Sequence, residues 1–127
     1  MDNRYAVHFD HAERMGTAEL RQNFLVESLF EPGAVKAVYT HYDRLVLIGL
    51  CPLATPLSLG AELAKAAGAA DFLDRRELAV LNIGGGSARI TADGETFTLE
   101  NEDALYIGKA STGVSFASVD PAHPAKL

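Results

Sequence analysis

Ala88-Arg89-Ile90-Thr91-Ala92-Asp93-Gly94-Glu95-Thr96-Phe97-Thr98-Leu99 is the stretch that decides the fold. Two runs of alternating character flank Asp93-Gly94. A period of two sends successive side chains to opposite faces of a strand. Asp-Gly supplies the two successive positive φ values of a type I′ turn, so the stretch predicts a tight antiparallel hairpin. Working outward, the same grammar repeats. Leu78 to Ile83 reads as a buried strand that stops at Gly84, and Ala104 to Ile107 and Val114 to Val119 read as further strands. Upstream, Val35 to His41 and Leu45 to Leu53 are strands joined by the hairpin-like His41-Tyr42-Asp43-Arg44. Gly and Pro punctuate short runs rich in β-branched and aromatic residues, which is the pattern of a sandwich or barrel.

Three segments read differently. Thr17 is placed to cap a short helix over Ala18 to Asn23, with Glu19 in its first turn. Phe24-Leu25-Val26-Glu27-Ser28-Leu29-Phe30 is too apolar for an exposed helix and predicts a strand. Glu62 to Ala67 has strong helix formers and stops at Gly68, a suitable C-terminal cap. The last residues, Pro121 to Leu127, are proline-spaced and read as extended, the start of a linker.

Composition bounds the function. The chain has 127 residues, enough for one domain with its own core. Hydrophobic residues are 48% and charged residues 22%, ordinary for a globular chain. Eleven Lys plus Arg against seventeen Asp plus Glu give −6, and no stretch concentrates the bases, which speaks against nucleic acid. No apolar run reaches the ~18 residues of a membrane span, and Met1-Asp2-Asn3-Arg4 opens no signal peptide. The one cysteine, Cys51, allows no internal disulfide and reads as a buried small residue. A cytoplasmic location is the expectation.

Several strands and a tight hairpin suggest a small jelly roll, so the two sequence motifs of the cupin superfamily are a fair test. The first motif places His-x-His before a Glu, then six residues and a Gly. Glu77 and Gly84 fit its end, but its two histidine positions fall on Asp71 and Leu73. Glu102-Asp103-Ala104-Leu105-Tyr106-Ile107-Gly108 resembles the entry to the second motif, whose histidine position falls on Gly113. A metal held by imidazoles and one carboxylate keeps only Glu77 here. The expected fold is therefore an all-β, cupin-like jelly-roll barrel (a double-stranded β-helix) with short N-terminal helical segments and an emptied metal site. The ordinary role for Glu77 is a salt bridge with Arg75 or Arg76.

Longer runs carry a closer likeness. They are Asn23 to Glu27, Val38 to Arg44, Phe72 to Gly85, Asp103 to Lys109, Phe116 to Ser118, and Pro124 to Lys126. Together they resemble the 5-keto-4-deoxyuronate isomerases, ketol-isomerases of pectin and hexuronate breakdown. These are built from two cupin-like halves, and the chain resembles the N-terminal one. The resemblance implies an N-terminal arm over residues 1–34, a barrel over 35–120 and a linker beginning at 121. It implies a partner C-terminal half that holds zinc through three His and one Glu. It also implies a small uronate substrate and a hexameric assembly. No zinc ligand transfers to this chain, so no cofactor is expected in it, and taken alone it is expected to be inactive. Kinship with the deoxy-glucuronate isomerases of inositol breakdown is weaker, because the Phe72 to Gly85 run favours the pectin branch. The alternative is a non-catalytic cupin module that binds a sugar acid or mediates oligomerisation.

Candidate substrate-wall residues are His41, Arg44, Arg75, Arg76 and Glu77. Arginine suits bidentate binding of a uronate carboxylate. The ordinary reading of His41 and Arg44 is a structural one at the turn. His8 and His11, three apart, lack a Cys, Asp or Glu pattern to complete a metal site and read as surface residues. Gly84-Gly85-Gly86 lacks phosphate-loop spacing and reads as a turn.

Overall fold

The computed structural model describes residues 1–127. Nine strands and three short helices follow in the order β1 (Asp2–Arg4), α1 (Phe9–Ala12), α2 (Thr17–Phe24), β2 (Val35–Thr40), β3 (Leu45–Leu50), β4 (Leu57–Ser58), α3 (Ala61–Ala66), β5 (Leu78–Leu81), β6 (Ala88–Ala92), β7 (Glu95–Leu99), β8 (Ala104–Ile107) and β9 (Ser115–Ser118). The strands form three sheets, ordered β1-β2-β3, β4-β9-β6-β7 and β5-β8. No ladder joins the three into a closed barrel. The β-rich character matches the expectation.

The deciding hairpin forms as read. β6 and β7 pair antiparallel from Ala88↔Leu99 to Ala92↔Glu95, and Asp93 and Gly94 have φ of 52° and 82°. β2 and β3 pair from Val35↔Leu50 to Thr40↔Leu45 around His41 to Arg44. The core draws on every sheet. Val80, Ala88, Ile90, Leu99, Ile107 and Phe116 are its centre, and Leu50, Ala64 and Leu73 close over them.

Several local expectations are corrected. Thr17 is the first helical residue, not the cap. Gly16 takes the cap position, and its N–H donates to Glu19 Oε2 at 3.1 Å. No strand forms over Phe24 to Phe30. The helix runs through Phe24, and Ser28 has φ of 52°, which interrupts an extended run. Leu29 instead crosses β3 so closely that a Cβ on Gly49 would collide with its carbonyl. β3 stops at Leu50, short of Leu53, and Ile83 lies outside β5. β5 is not buried on both faces: Val80 points in, while Leu81 is 53% exposed.

The tail, expected to be extended, is docked on the body. Leu127 exchanges two backbone hydrogen bonds with Leu50, at 2.9 Å each. Ile83 N–H donates to the Lys126 carbonyl at 2.9 Å, and Lys126 N–H to that of Gly84 at 2.8 Å. Ala125 and Leu127 are buried in the core. Two of the three glycines make this possible. Side chains at Gly85 and Gly86 would strike the carbonyls of Pro124 and His123. Gly84-Gly85-Gly86 is therefore the seat of the tail as well as a turn.

Candidate functional site

The three residues standing where the cupin motifs would carry histidines come together. Asp71, Leu73 and Gly113 line one open cavity of about 210 Å³, with Leu59, Phe72, Ser111, Thr112 and Val114. Asp71 and Leu73 arrive from the turn before β5, and residues 111–114 from the loop between β8 and β9. Both walls are held firmly. Asp74 Oδ2 accepts the N–H groups of Ala70 and Asp71, at 3.2 and 3.0 Å, which fixes the first turn. Ala110 N–H donates to the Leu73 carbonyl at 2.8 Å and ties the two walls together. The second loop is clasped to the deciding hairpin. Asp93 Oδ1 accepts from Thr112 N at 2.7 Å and Thr112 Oγ1 at 3.2 Å, while Asp93 N–H donates to the Thr112 carbonyl at 2.9 Å. The Thr112 backbone N–H is the main reason the Asp93 carboxyl lies below its ordinary value, with the hydroxyls of Ser111 and Thr112 adding to it.

The chemistry of the cavity is limited. Asp71 is its one ionisable group, and no imidazole or guanidinium lines it. A carboxylate repels an anionic sugar acid and does not suit its recognition. Nor do the residues fit a metal ion. No three His, Cys, Asp or Glu side chains are grouped to hold one.

The five candidate wall residues lie outside this cavity. His41 is exposed at the end of β2, where its ring stacks on Tyr5 at 4.6 Å between centroids and meets the edge of Tyr39 at 4.8 Å. Arg44 is exposed in the same turn with φ of 53°. Arg75 is exposed, while Arg76 is half-buried with its guanidinium carbon 5.7 Å from the centre of the Phe72 ring, a cation–π contact. The structure thus leaves His41 and Arg44 on one sheet and Arg75 to Glu77 ahead of another. The expected Glu77 salt bridge is not formed. Arginine and lysine pair with carboxylates at Arg21–Glu27 and Lys36–Glu31 instead. Glu77 accepts a hydrogen bond from the Tyr106 hydroxyl, which, with some desolvation and the carboxylate charge, raises the pKa of that phenol.

Two polar residues escaped the sequence reading. Asn82 is fully buried, and its Nδ2 donates to the carbonyls of Gly86 and Leu99 at 3.0 and 3.1 Å. Ser118 is buried, donates to the Pro52 carbonyl at 2.6 Å and accepts from Ala125 N at 2.9 Å. Asn82 interrupts an apolar run, which is a signal. Nothing local linked Asp93 to Thr112, or Ser118 to the tail.

No family model matches the chain. It is 43% identical over all 127 residues to 4-deoxy-L-threo-5-hexosulose-uronate ketol-isomerase of Yersinia pestis (strain Pestoides F). The proteins of that name from Yersinia pseudotuberculosis serotype O:1b (strain IP 31758) and Yersinia pestis bv. Antiqua (strain Angola) match to the same extent. In each the match covers 45% of the relative, so the chain spans a little under half the length of the curated relatives it matches. The resemblance read from the sequence is therefore shown: from end to end, this chain is a relative of part of the 4-deoxy-L-threo-5-hexosulose-uronate ketol-isomerases.

Proposed function

We propose that the chain is the N-terminal, cupin-like half of a uronate ketol-isomerase, and that it serves as scaffold and interface rather than as the reacting centre. The parent reaction would interconvert 5-dehydro-4-deoxy-D-glucuronate and 3-deoxy-D-glycero-2,5-hexodiulosonate, moving a proton between adjacent carbons. The observation that carries the proposal is the match over all 127 residues of the chain at 43% identity. The convergence of Asp71 and Leu73 with Gly113 on one cavity supports a jelly roll of cupin type, because residues 71–73 and Gly113 are at least 40 positions apart and share only the motif register. The same cavity supports a non-catalytic role for this half. Its ionisable group has the wrong charge for a uronate, and its side chains do not fit zinc. In this reading zinc belongs to the remaining half, the residues after 120 lead toward it, and copies assemble into a hexamer in the cytoplasm. What this chain's own residues contribute is a stiff wall, clasped by Asp93 and tied at Ala110.

The test is an isomerase assay on the 127-residue chain, alone and mixed with the separately produced remainder of a matched relative, with zinc added to both. Turnover only in the mixture is expected. Chelator-sensitive turnover by the chain alone would overturn the assignment.

A further inference from the structure

Arg4 carries the one buried side-chain polar atom in the chain that has no hydrogen-bond partner, its Nε. Its charge is unpaired as well. Arginine and lysine meet carboxylates at Arg21–Glu27 and Lys36–Glu31, and Arg4 is in neither pair. Burying a donor without an acceptor is unfavourable, so the group favours any ligand that brings one. The fold holds Arg4 in place through its backbone. β1 runs parallel to β2 with Arg4 in register with Thr40, and the Arg4 carbonyl accepts the His41 N–H at 2.9 Å. Asn23 and Phe24, at the end of α2, and Val26 close with this part of the sheet around a cavity of about 110 Å³.

Arg4 is the only charged residue lining that cavity. Two of its polar neighbours are free to donate. The Tyr42 hydroxyl already accepts from Val7 N at 3.1 Å, and Thr40 Oγ1 from Tyr42 N at 3.3 Å, so each keeps its proton for another partner. Asn23 Nδ2 donates to the Glu19 carbonyl at 2.8 Å. Much of the remaining wall is apolar, with Val38 and Leu47 side by side across the β2–β3 ladder. Arg4 also lines a second, open cavity, whose one carboxylate, Glu27, is taken by Arg21. A positive charge and hydroxyl donors beside an apolar wall select an anion with an apolar body. The Nε–Nη edge of a guanidinium matches the two oxygens of a carboxylate. The cavity is well below the ~300–1,000 Å³ of sites for drug-sized ligands, which restricts its occupant to a small acid.

We propose that the cavity between the end of α2 and the β1-β2-β3 sheet binds a short aliphatic monocarboxylate. Arg4 Nε–H and the hydroxyls of Thr40 and Tyr42 take the carboxylate oxygens, and the alkyl body rests on Val38 and Leu47. The site is separate from the Asp71 cavity and independent of the ketol-isomerase reading.

The probe is butyrate, titrated into the isotopically labelled chain at constant ionic strength with chloride as the exchanged anion. Butylamine, of the same length and opposite charge, is the control. Saturable shifts are expected at the Arg4 Nε–H and at the amides of Thr40 and Tyr42, with none from butylamine. Arg4→Lys keeps the charge but removes the two-donor edge, and should weaken butyrate binding at least tenfold with the amide spectrum still folded. Thr40→Val removes one hydroxyl at similar shape and should weaken binding severalfold; it leaves Arg4 in place and decides the matter if the Arg4 variant does not fold. Equal shifts from butyrate and butylamine, binding unchanged by the substitutions, shifts confined to other residues, or no saturable shift would overturn the proposal.

Discussion

Asn82 shows what a single buried amide does here. It sits where β5 ends and the glycine turn begins, and donates to the Gly86 carbonyl, outside any strand, and to the Leu99 carbonyl at the end of the β6–β7 ladder. Asn82→Leu keeps the approximate volume but strands those acceptors, so a loss of about 2–4 kcal/mol is expected in urea denaturation, since an unpaired buried polar group costs ~1–3 kcal/mol. Gly49 is constrained by a different cause. Its backbone is ordinary β, but the Leu29 carbonyl occupies the place of a Cβ. Gly49→Ala should cost about 1–3 kcal/mol by overpacking, read in the same way. Asp93 makes a pH prediction. Its carboxyl titrates lower folded than unfolded, so its contribution is present above the ordinary carboxylate value of 3.8 and fades as pH falls through the depressed folded value. Carboxyl carbon shifts should place the Asp93 midpoint below 3.8, and Asp93→Ala should speed hydrogen exchange at Thr112.

At the scale of elements, legibility followed locality. The β6–β7 hairpin was readable because Asp93-Gly94 and its flanks hold all the information for the turn. The β2–β3 hairpin and α3 were readable for the same reason. Residues 24–30 were misread because the apolar pattern is satisfied without a strand: Ser28 turns the backbone and Leu29 packs across β3 at Gly49. The tail was half legible. The extended path expected over Pro121 to Leu127 is broken by a turn through Pro121 to His123, closed by the His123 N–H on the Asp120 carbonyl, and the docking depends on Leu50, Ile83 and Gly84, which lie more than 40 residues away. The candidate site was legible as positions rather than as chemistry. The motif register located Asp71, Leu73 and Gly113, which the fold then assembled, whereas Arg44, Arg75 and Arg76, chosen for their chemistry, were not brought together. Truncation after His123 would remove two core residues and five backbone hydrogen bonds. It should destabilise the chain by about 3 kcal/mol or more, judged from the ~2–5 kcal/mol of a single large-to-small core change.

Across the whole molecule, the three sheets share one core but not one hydrogen-bonded wall. No helix is long and apolar enough to cross a membrane. A chain with net charge −6 favours dispersal over self-contact. The docked tail bears on how the chain is made. Residues 125–127 bridge the end of β3 to the end of β5, and are the last of this stretch to leave the ribosome. Until then β2–β3 and β6–β7 can form as hairpins, yet the two ends that Leu127 and Lys126 join stay apart. Completion of this core is thereby deferred until residues 125–127 have emerged: a nascent chain that stalls before Ala125 leaves the ends of β3 and β5 unjoined.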